Sequence, residues 1–166
     1  MISLIRKATS GSSRMPQKTD IDYMNIALQQ SEIAAEKGEV PVGAVLVTED
    51  EQIFTSHNAP ITLNDASAHA EMRVIRMACE AVGNYRLTGA TLYVTLEPCT
   101  MCAGAIIHAR IARVVYGATD PKTGAVESLS HVLSDSRLNH QPEVVSGVLA
   151  NECGALLKRF FKDRRN

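Results

Sequence analysis

Two short motifs, each predicted to begin a helix, restrict what this chain can fold into. They are His69-Ala70-Glu71 and Pro98-Cys99-Thr100-Met101-Cys102. Cysteines three residues apart lie on one face of the first helical turn, so that both sulfur atoms can reach one ion. A helix N-terminus also stabilises their thiolate form. We therefore expect an ion off the helix ends, with His69 as its third ligand.

The predicted site holds one Zn²⁺ per chain through His69, Cys99 and Cys102. A fourth tetrahedral position is then left open, which distinguishes a catalytic zinc site from a structural one. Water bound there has its pKa lowered towards about 7. Glu71 is suited to move protons between this water and a substrate nitrogen, which makes it the predicted catalytic residue. The combined pattern H-x-E…P-C-x-x-C is a known signature of zinc-dependent deaminases.

The cysteine pair by itself has other interpretations. A Cys-x-x-Cys motif is also typical of structural zinc sites and of thioredoxin-like redox pairs. A structural site needs a fourth ligand, for which Cys79 and Cys153 are the candidates. Each of them is expected on a helix as a packing residue, because buried free cysteine is common. The histidine and glutamate that precede the pair favour the deaminase interpretation.

The composition is that of an ordinary one-domain protein. The chain has 166 residues, of which 45% are hydrophobic, and a net charge of −1. No apolar run approaches the roughly 20 residues that span a bilayer, so we expect a soluble protein with no membrane partner. Four cysteines, two of them closely paired, favour a reducing, cytoplasmic location over a disulfide framework. Because the net charge is near zero, any polyanion partner must be met by a local patch.

The hydrophobic pattern predicts an α/β fold. Helices are expected over about 20–38, 67–83, 99–109, 129–133 and 151–166, and strands over 42–47, 52–56, 91–96, 113–117 and 144–149. Residues 58–66 are expected to form a loop. Thr19 or Asp20, Asp65 or Ser67, and Asn151 are the candidate helix caps. After the opening hairpin, strands and helices alternate, which predicts a three-layer α/β/α sandwich with a central mixed five-stranded sheet.

The first 19 residues differ from the rest, because they carry four basic side chains and no acid. We expect a disordered N-terminal extension, followed by a deaminase domain over residues 20–166. A targeting segment remains an alternative, as does an over-long start with Met15 as the true first residue.

From about residue 20 to 165, the chain resembles the bacterial tRNA-specific adenosine deaminases, a family with the cytidine-deaminase-like fold. The matching segments are 39–45, 68–71, 84–87, 91–105, Asp120 with 122–124, and 160–161. His57, Ala59 and residues 61–65 depart from the family pattern, which leaves the exact substrate contacts open.

The resemblance implies hydrolytic deamination of the wobble adenosine in a tRNA anticodon, with arginine tRNA as the expected substrate. It also implies a homodimer. Asn58 would hydrogen-bond the target nucleotide and Asp120 would lie near its ribose. The backbone of Ala70 would hold the base, and Val42 and Leu96 would line the pocket.

The last two turns of the C-terminal helix are predicted to be strongly basic, with Lys158, Arg159, Lys162, Arg164 and Arg165 opposed in this stretch only by Asp163. Such a stretch is either a solvated helix end, where cations suit the helix dipole, or a polyanion-binding patch. The resemblance favours RNA contact, by Arg164 and Arg165 together with Lys122.

Two other functions stay open at this point. The nearest is a zinc deaminase with the same ligands that acts on a free base or nucleoside such as guanine or cytosine. The other is a non-enzymatic module with a structural zinc. The long match around the second motif argues against the first, and Glu71 with the open metal position argues against the second.

Overall fold

The computed structural model describes residues 17–165. The expectation for the first 19 residues therefore falls mainly outside the described residues. The helices are α1 (Asp20–Glu36), α2 (Pro60–Leu63), α3 (Ala70–Val82), α4 (Thr100–His108) and α5 (Ala150–Arg165), with a 3₁₀ turn at Val132–Ser134. The strands are β1 (Gly43–Val47), β2 (Ile53–His57), β3 (Thr91–Leu96), β4 (Arg113–Ala118) and β5 (Glu143–Val145).

The five strands form one mixed sheet in the order β2-β1-β3-β4-β5. The first three strands of that order pair antiparallel, and β3, β4 and β5 pair parallel. The helix α4 crosses over between β3 and β4, as parallel neighbours require. Ala44 pairs with Val94 and Val94 pairs with Tyr116, so buried residues are aligned across the three central strands.

Helices cover both faces of the sheet, which confirms the predicted three-layer sandwich. On one face, α1 and α5 pack against Val45, Tyr93 and Val115. On the other, α3 and α4 pack against alternate residues of the same strands, including Leu46 and Val94. A strand buried on both faces reads as a continuous apolar run, which is why β1 is recognisable in the sequence. Gly43 allows the close approach of α1, because a Cβ there would lie 1.9 Å from the carbonyl oxygen of Ala27.

The observed caps of α1 and α3 can be compared with those predicted from neighbouring residues in the sequence. Thr19 caps α1 and exchanges hydrogen bonds with Asp22 in a complete capping box, as expected. The predicted cap of α3 is wrong. Asp65 accepts hydrogen bonds from Ser67 and does not cap the helix. The N–H of Ala70 donates its hydrogen bond to Oδ1 of Asn58, 12 residues earlier in the chain.

Four further expectations need correction. The predicted loop at 58–66 contains the short helix α2. The last strand ends at Val145, before the left-handed residues Gly147 and Leu149 turn the chain. Because α5 begins at Ala150, Asn151 lies inside its first turn and does not cap it. Helical spacing predicts one apolar face with Met72, Ile75, Cys79 and Val82 on the helix over 67–83, but Val82 is exposed, and the face of α3 that packs on the sheet carries Val74, Ile75 and Ala78.

Within residues 17–165, no helix combines the length and the apolar character needed to cross a membrane.

Candidate active site

Three candidate metal ligands converge at the N-terminal ends of α3 and α4. His69 is the last residue before α3, Cys99 is the last before α4, and Cys102 lies in the first turn of α4. Nδ1 of His69 is 3.6 Å from Sγ of Cys99 and 3.5 Å from Sγ of Cys102. Zinc bonds of about 2.0 Å to nitrogen and about 2.3 Å to sulfur, at a tetrahedral angle, place such atoms about 3.5 Å apart. The donor set and its spacing therefore fit one zinc ion.

The two other cysteines lie away from this group. Cys79 is half-buried on α3, with its Sγ 3.5 Å from the carbonyl oxygen of Tyr85. Cys153 is buried on α5, on the opposite face of the sheet. His69, Cys99 and Cys102 are the one group of possible metal ligands found in the described part of the chain. A structural site with four protein ligands is therefore not supported by this geometry.

The electrostatics of the cysteine pair favour at least one thiolate without any metal. Hydrogen bonds from Cys102 and His69 stabilise the Cys99 thiolate and lower its pKa to about 4. The hydrogen bond to Cys99, together with burial, raises the pKa of Cys102. A bound dication reverses this second effect, because metal ligation requires both sulfur atoms to be deprotonated.

Glu71 lies in the first turn of α3, two residues after His69, and only 4% of it is exposed. Burial raises the pKa of its carboxyl group above the ordinary value. A glutamate with a raised pKa takes up and gives up a proton more readily near neutral pH, as a general acid–base group must. Its placement beside the ligand group is suited to proton transfer, and its role as the proton shuttle stays a prediction.

Glu71 and two of the three candidate ligands, His69 and Cys99, border a cavity of about 210 Å³. Its lining consists of Val40, Val42, Asn58, His69, Glu71, Leu96, Glu97, Cys99, Asp120 and Thr123. The structure thus brings four of the five predicted substrate-binding residues to one cavity beside the metal ligands. The fifth, Ala70, is buried, and its N–H is already donated to Asn58.

Asn58 is held in place by this hydrogen bond. Its Oδ1 accepts from the N–H of Ala70 at 2.9 Å, and its own N–H is donated to the carbonyl oxygen of Val42. Its side-chain NH₂ group makes no hydrogen bond to any of residues 17–165, and Asn58 lines the cavity, so this group is available as a donor to a ligand. Ala70 therefore acts on the cavity through the orientation of Asn58.

Two buried glutamates that the sequence analysis missed fix the loops around the cavity. Glu39 is 1% exposed, and its carboxylate accepts from the N–H groups of Ile61 and Thr62 and from the Thr62 hydroxyl. These bonds hold α2, which follows Asn58. The sequence signal for Glu39 was a charged residue directly before the apolar run of β1.

Glu97 has the same role in the loop that carries Asp120. Its carboxylate accepts five hydrogen bonds, donated by the N–H groups of Asp120, Val126, Glu127 and Ser128 and by the Ser128 hydroxyl. Burial opposes ionisation, but these donors outweigh it and hold the pKa of Glu97 at about 2. The loop comes so close that a Cβ on Gly124 would lie 2.3 Å from Cδ of Glu97.

Replacing Glu97 by glutamine should lower the free energy of unfolding by about 3 kcal/mol at pH 7. The estimate follows from the gap between a folded pKa of about 2 and the ordinary 4.5. A lowered pKa stabilises the protein above pH 4.5, and this contribution is lost as the pH falls through 4.5 towards 2. Urea unfolding at pH 7, 4 and 3 should therefore show the difference in free energy of unfolding between wild type and variant becoming smaller below pH 4.5. Glu127→Gln, an exposed change in the same loop, is the control; equal effects of both would contradict this role.

The three predicted RNA-binding residues lie outside the cavity lining. Lys122 is exposed in the loop of Asp120, whose carboxylate accepts from the N–H groups of Lys122 and Thr123. Arg164 stacks over the ring of Phe160 at 4.5 Å and donates a hydrogen bond to the carbonyl oxygen of Gly38. Arg165 is exposed at the end of α5.

Comparison with known proteins places the chain in a family. The family described as "Cytidine and deoxycytidylate deaminase zinc-binding region" matches residues 17–118. A tRNA-specific adenosine deaminase from Bacillus subtilis is 54% identical over 143 residues, which cover 86% of this chain and 89% of that protein. One from Agrobacterium fabrum is 53% identical, covering 86% and 94%. The chain belongs to the tRNA-specific adenosine deaminase family.

The solved structures agree with this membership. A structure from studies of A-to-I editing by tRNA:A34 deaminases at the wobble position of tRNA has a TM-score of 0.78 and 54% identity, covering 81% of this chain and 98% of that chain. A guanine deaminase from Nitrosomonas europaea has a TM-score of 0.75 at 18% identity, covering 89% and 86%, and shares the fold alone. Since the matched zinc-binding region contains His69, Cys99 and Cys102, the metal of this adenosine deaminase family member is zinc.

Proposed function

We propose that this protein converts the wobble adenosine of a tRNA anticodon to inosine and releases ammonia. The observation that carries the proposal is a group of three zinc ligands, two of which, His69 and Cys99, line one cavity together with the buried Glu71. It occurs in a chain that is more than half identical to named tRNA-specific adenosine deaminases. The cavity is smaller than the roughly 300 Å³ typical of pockets for drug-sized ligands, and it suits a single nucleobase.

The chemistry follows from the placement of Glu71. When bound by His69, Cys99 and Cys102, a zinc ion lowers the pKa of a water towards about 7. Glu71 accepts a proton from the attacking water and passes it to N1 of the adenine, while the water oxygen bonds to C6. Glu71 then transfers the second proton to the exocyclic nitrogen at C6. The bond from C6 to this nitrogen breaks and ammonia leaves, so that the product base is hypoxanthine.

The residues around the cavity position the base. The NH₂ group of Asn58 is the donor available to the nucleotide, and Asp120 lies on the loop at the other side, near the expected place of the ribose. Val42 and Leu96 supply apolar contacts to the base. Adenine cannot reach such a cavity while stacked in the anticodon loop, so the base must be flipped out.

The partner is the anticodon stem-loop of a tRNA, which we propose to be an arginine tRNA. Single-stranded loops are recognised through flipped bases together with backbone charge. Arg165 and Lys122 are exposed cations suited to such contacts, and Arg164 contributes from its place against Gly38.

We also propose a homodimer that acts in the cytoplasm. Ala103 and Ile106 belong to the core and are closed to a partner, whereas a set of large apolar residues at the surface is available to a second copy: Ile61, Leu63, Met101 and Leu129. No disulfide joins the four cysteines, all of which lie in the described part of the chain, and this agrees with a reducing compartment.

One assay separates this function from its alternatives. The purified holoenzyme is incubated with an arginine-tRNA anticodon stem-loop that carries the wobble adenosine and, in parallel, with free guanine and free cytosine. We expect inosine in the RNA and no ammonia from the free bases. Ammonia from guanine or cytosine without RNA editing would support the free-base deaminase instead. No reaction at full zinc occupancy would support the structural module.

A further inference from the structure

A group of basic side chains lies next to the backbone of Asn58, one of the residues that line the cavity, and has no part in the site described above. Nζ of Lys37 is 3.5 Å from Nε2 of His57, and Nη1 of Arg73 is 3.4 Å from Nδ1 of the same ring. These residues come from the C-terminal end of α1, the end of β2 and the first turn of α3. We call Lys37, His57 and Arg73 the rim cluster. None of the three lines the cavity, but Nδ1 of His57 is 3.0 Å from the carbonyl oxygen of Asn58, a residue that does.

Neither cation of the rim cluster, Lys37 or Arg73, forms an ion pair in the described part of the chain. Over residues 17–165, the side-chain ion pairs involve Arg76, Arg113 and Arg137. The nearby carboxylate of Glu39 accepts its hydrogen bonds from Ile61 and Thr62 instead. Two permanent cations on either side of one imidazole repel each other. An anion from outside the chain would relieve this repulsion.

The rim cluster also has donors to offer. Nη1 of Arg73 donates a hydrogen bond to the carbonyl oxygen of His57, and this bond fixes the direction of the guanidinium. The other N–H groups of the Arg73 guanidinium have no acceptor within residues 17–165. The Lys37 ammonium has no hydrogen-bonding contact there apart from that to His57. A guanidinium presents a planar fork that matches two phosphate oxygens, and an ammonium adds a mobile point charge. The chemistry of the rim cluster is therefore that of a phosphate site.

We infer that the rim cluster binds one backbone phosphate of the RNA, next to the nucleotide whose base occupies the cavity. The inference rests on the proposed function. When a base is flipped into a pocket, its own sugar and the flanking phosphates stay at the mouth. A contact at this place favours a polynucleotide over a free base, which has no phosphate. The rim cluster thus adds to substrate selection as well as to affinity.

The test uses Lys37, because it is exposed and has no structural contact except that to His57. Lys37→Ala should weaken binding of the anticodon stem-loop about fivefold, and the slope of log affinity against log salt should become shallower by about 0.7, the value for one contact to single-stranded RNA. Lys37→Glu should weaken binding further, and Lys37→Arg should restore it. Arg86→Ala removes an exposed cation beyond the far end of α3 and should change neither quantity.

A second measurement locates the phosphate. Stem-loops with a single uncharged methylphosphonate linkage on either side of the wobble adenosine are titrated with wild type and with Lys37→Ala. At one of the two linkages, we expect the uncharged group to lower the wild-type affinity to that of Lys37→Ala. The affinity of Lys37→Ala itself should not change at this linkage. The inference is overturned if Lys37→Ala binds with unchanged affinity and slope, or if its defect persists at both linkages. The wild-type enzyme is also assayed for editing of the unmodified stem-loop. If it edits this RNA while Lys37→Ala behaves like the wild type, the phosphate contact is wrong and the proposed function still stands.

Discussion

Replacing Glu71 by glutamine should leave zinc bound and lower the rate of inosine formation by about 10²–10⁴-fold, the usual contribution of a positioned proton-transfer group. Glutamine has nearly the same shape, so the cavity and the ligand group should persist. It cannot take up the proton from the attacking water or deliver it to N1 of the base. Single-turnover rates with the anticodon stem-loop measure the loss, and metal analysis of the same protein measures the zinc.

A matched control separates this chemistry from general damage to α3. Glu80→Gln makes the same change at an exposed position of the same helix, away from the cavity. It should keep both the zinc and the editing rate. If Glu71→Gln edits within tenfold of the wild type at full zinc occupancy, then Glu71 is not the proton shuttle.

Changing Cys102 to serine should remove most of the zinc and with it nearly all editing. Cys102 is fully buried in the first turn of α4, with its sulfur atom 3.5 Å from Nδ1 of His69. Serine keeps the size of the side chain, but its hydroxyl is a far weaker zinc ligand than a thiolate, and two ligands hold zinc poorly. The purified variant should contain well under half an equivalent of zinc. Elemental analysis measures the zinc content of the variant, and the editing assay measures its loss of activity.

Cys79→Ser is the matched control for this change. It also replaces a cysteine sulfur by oxygen, but in a half-buried side chain outside the ligand group. We therefore expect one zinc per chain and wild-type editing. Zinc loss in Cys79→Ser, or one full equivalent of firmly held zinc in Cys102→Ser, would contradict the three-ligand assignment.

The features predicted from the sequence are those set by residues close together in the chain. The strand β1 was visible as an apolar, β-branched run, and the capping box of α1 spans only three residues. The ligand group was predicted because its residues sit at recurring positions beside two helix starts. The resemblance then supplied Asn58 and Asp120, which the structure places at the same cavity, although their roles remain proposals.

The features that were missed depend on contacts between distant residues. Asn58 caps α3 from 12 residues away, and Glu97 receives donors from residues 23 to 31 positions later. Hydrophobic periodicity carries no information about such pairs, because the partners meet only after the sheet has formed. The apolar face of α3 was misjudged for a related reason. The face of α3 that meets the sheet carries Val74, Ile75 and Ala78, whereas Val82, in the last turn, lies beyond the contact.

The most direct test of the central claim is a search for inosine in a complete tRNA pool. Total tRNA that lacks inosine is incubated with the holoenzyme and then sequenced as cDNA, in which inosine reads as guanosine. We predict adenosine-to-guanosine changes confined to the first anticodon position, foremost in arginine tRNA, and none with Glu71→Gln. A zinc-loaded enzyme that leaves this position unchanged, while releasing ammonia from free guanine or cytosine, would contradict the account.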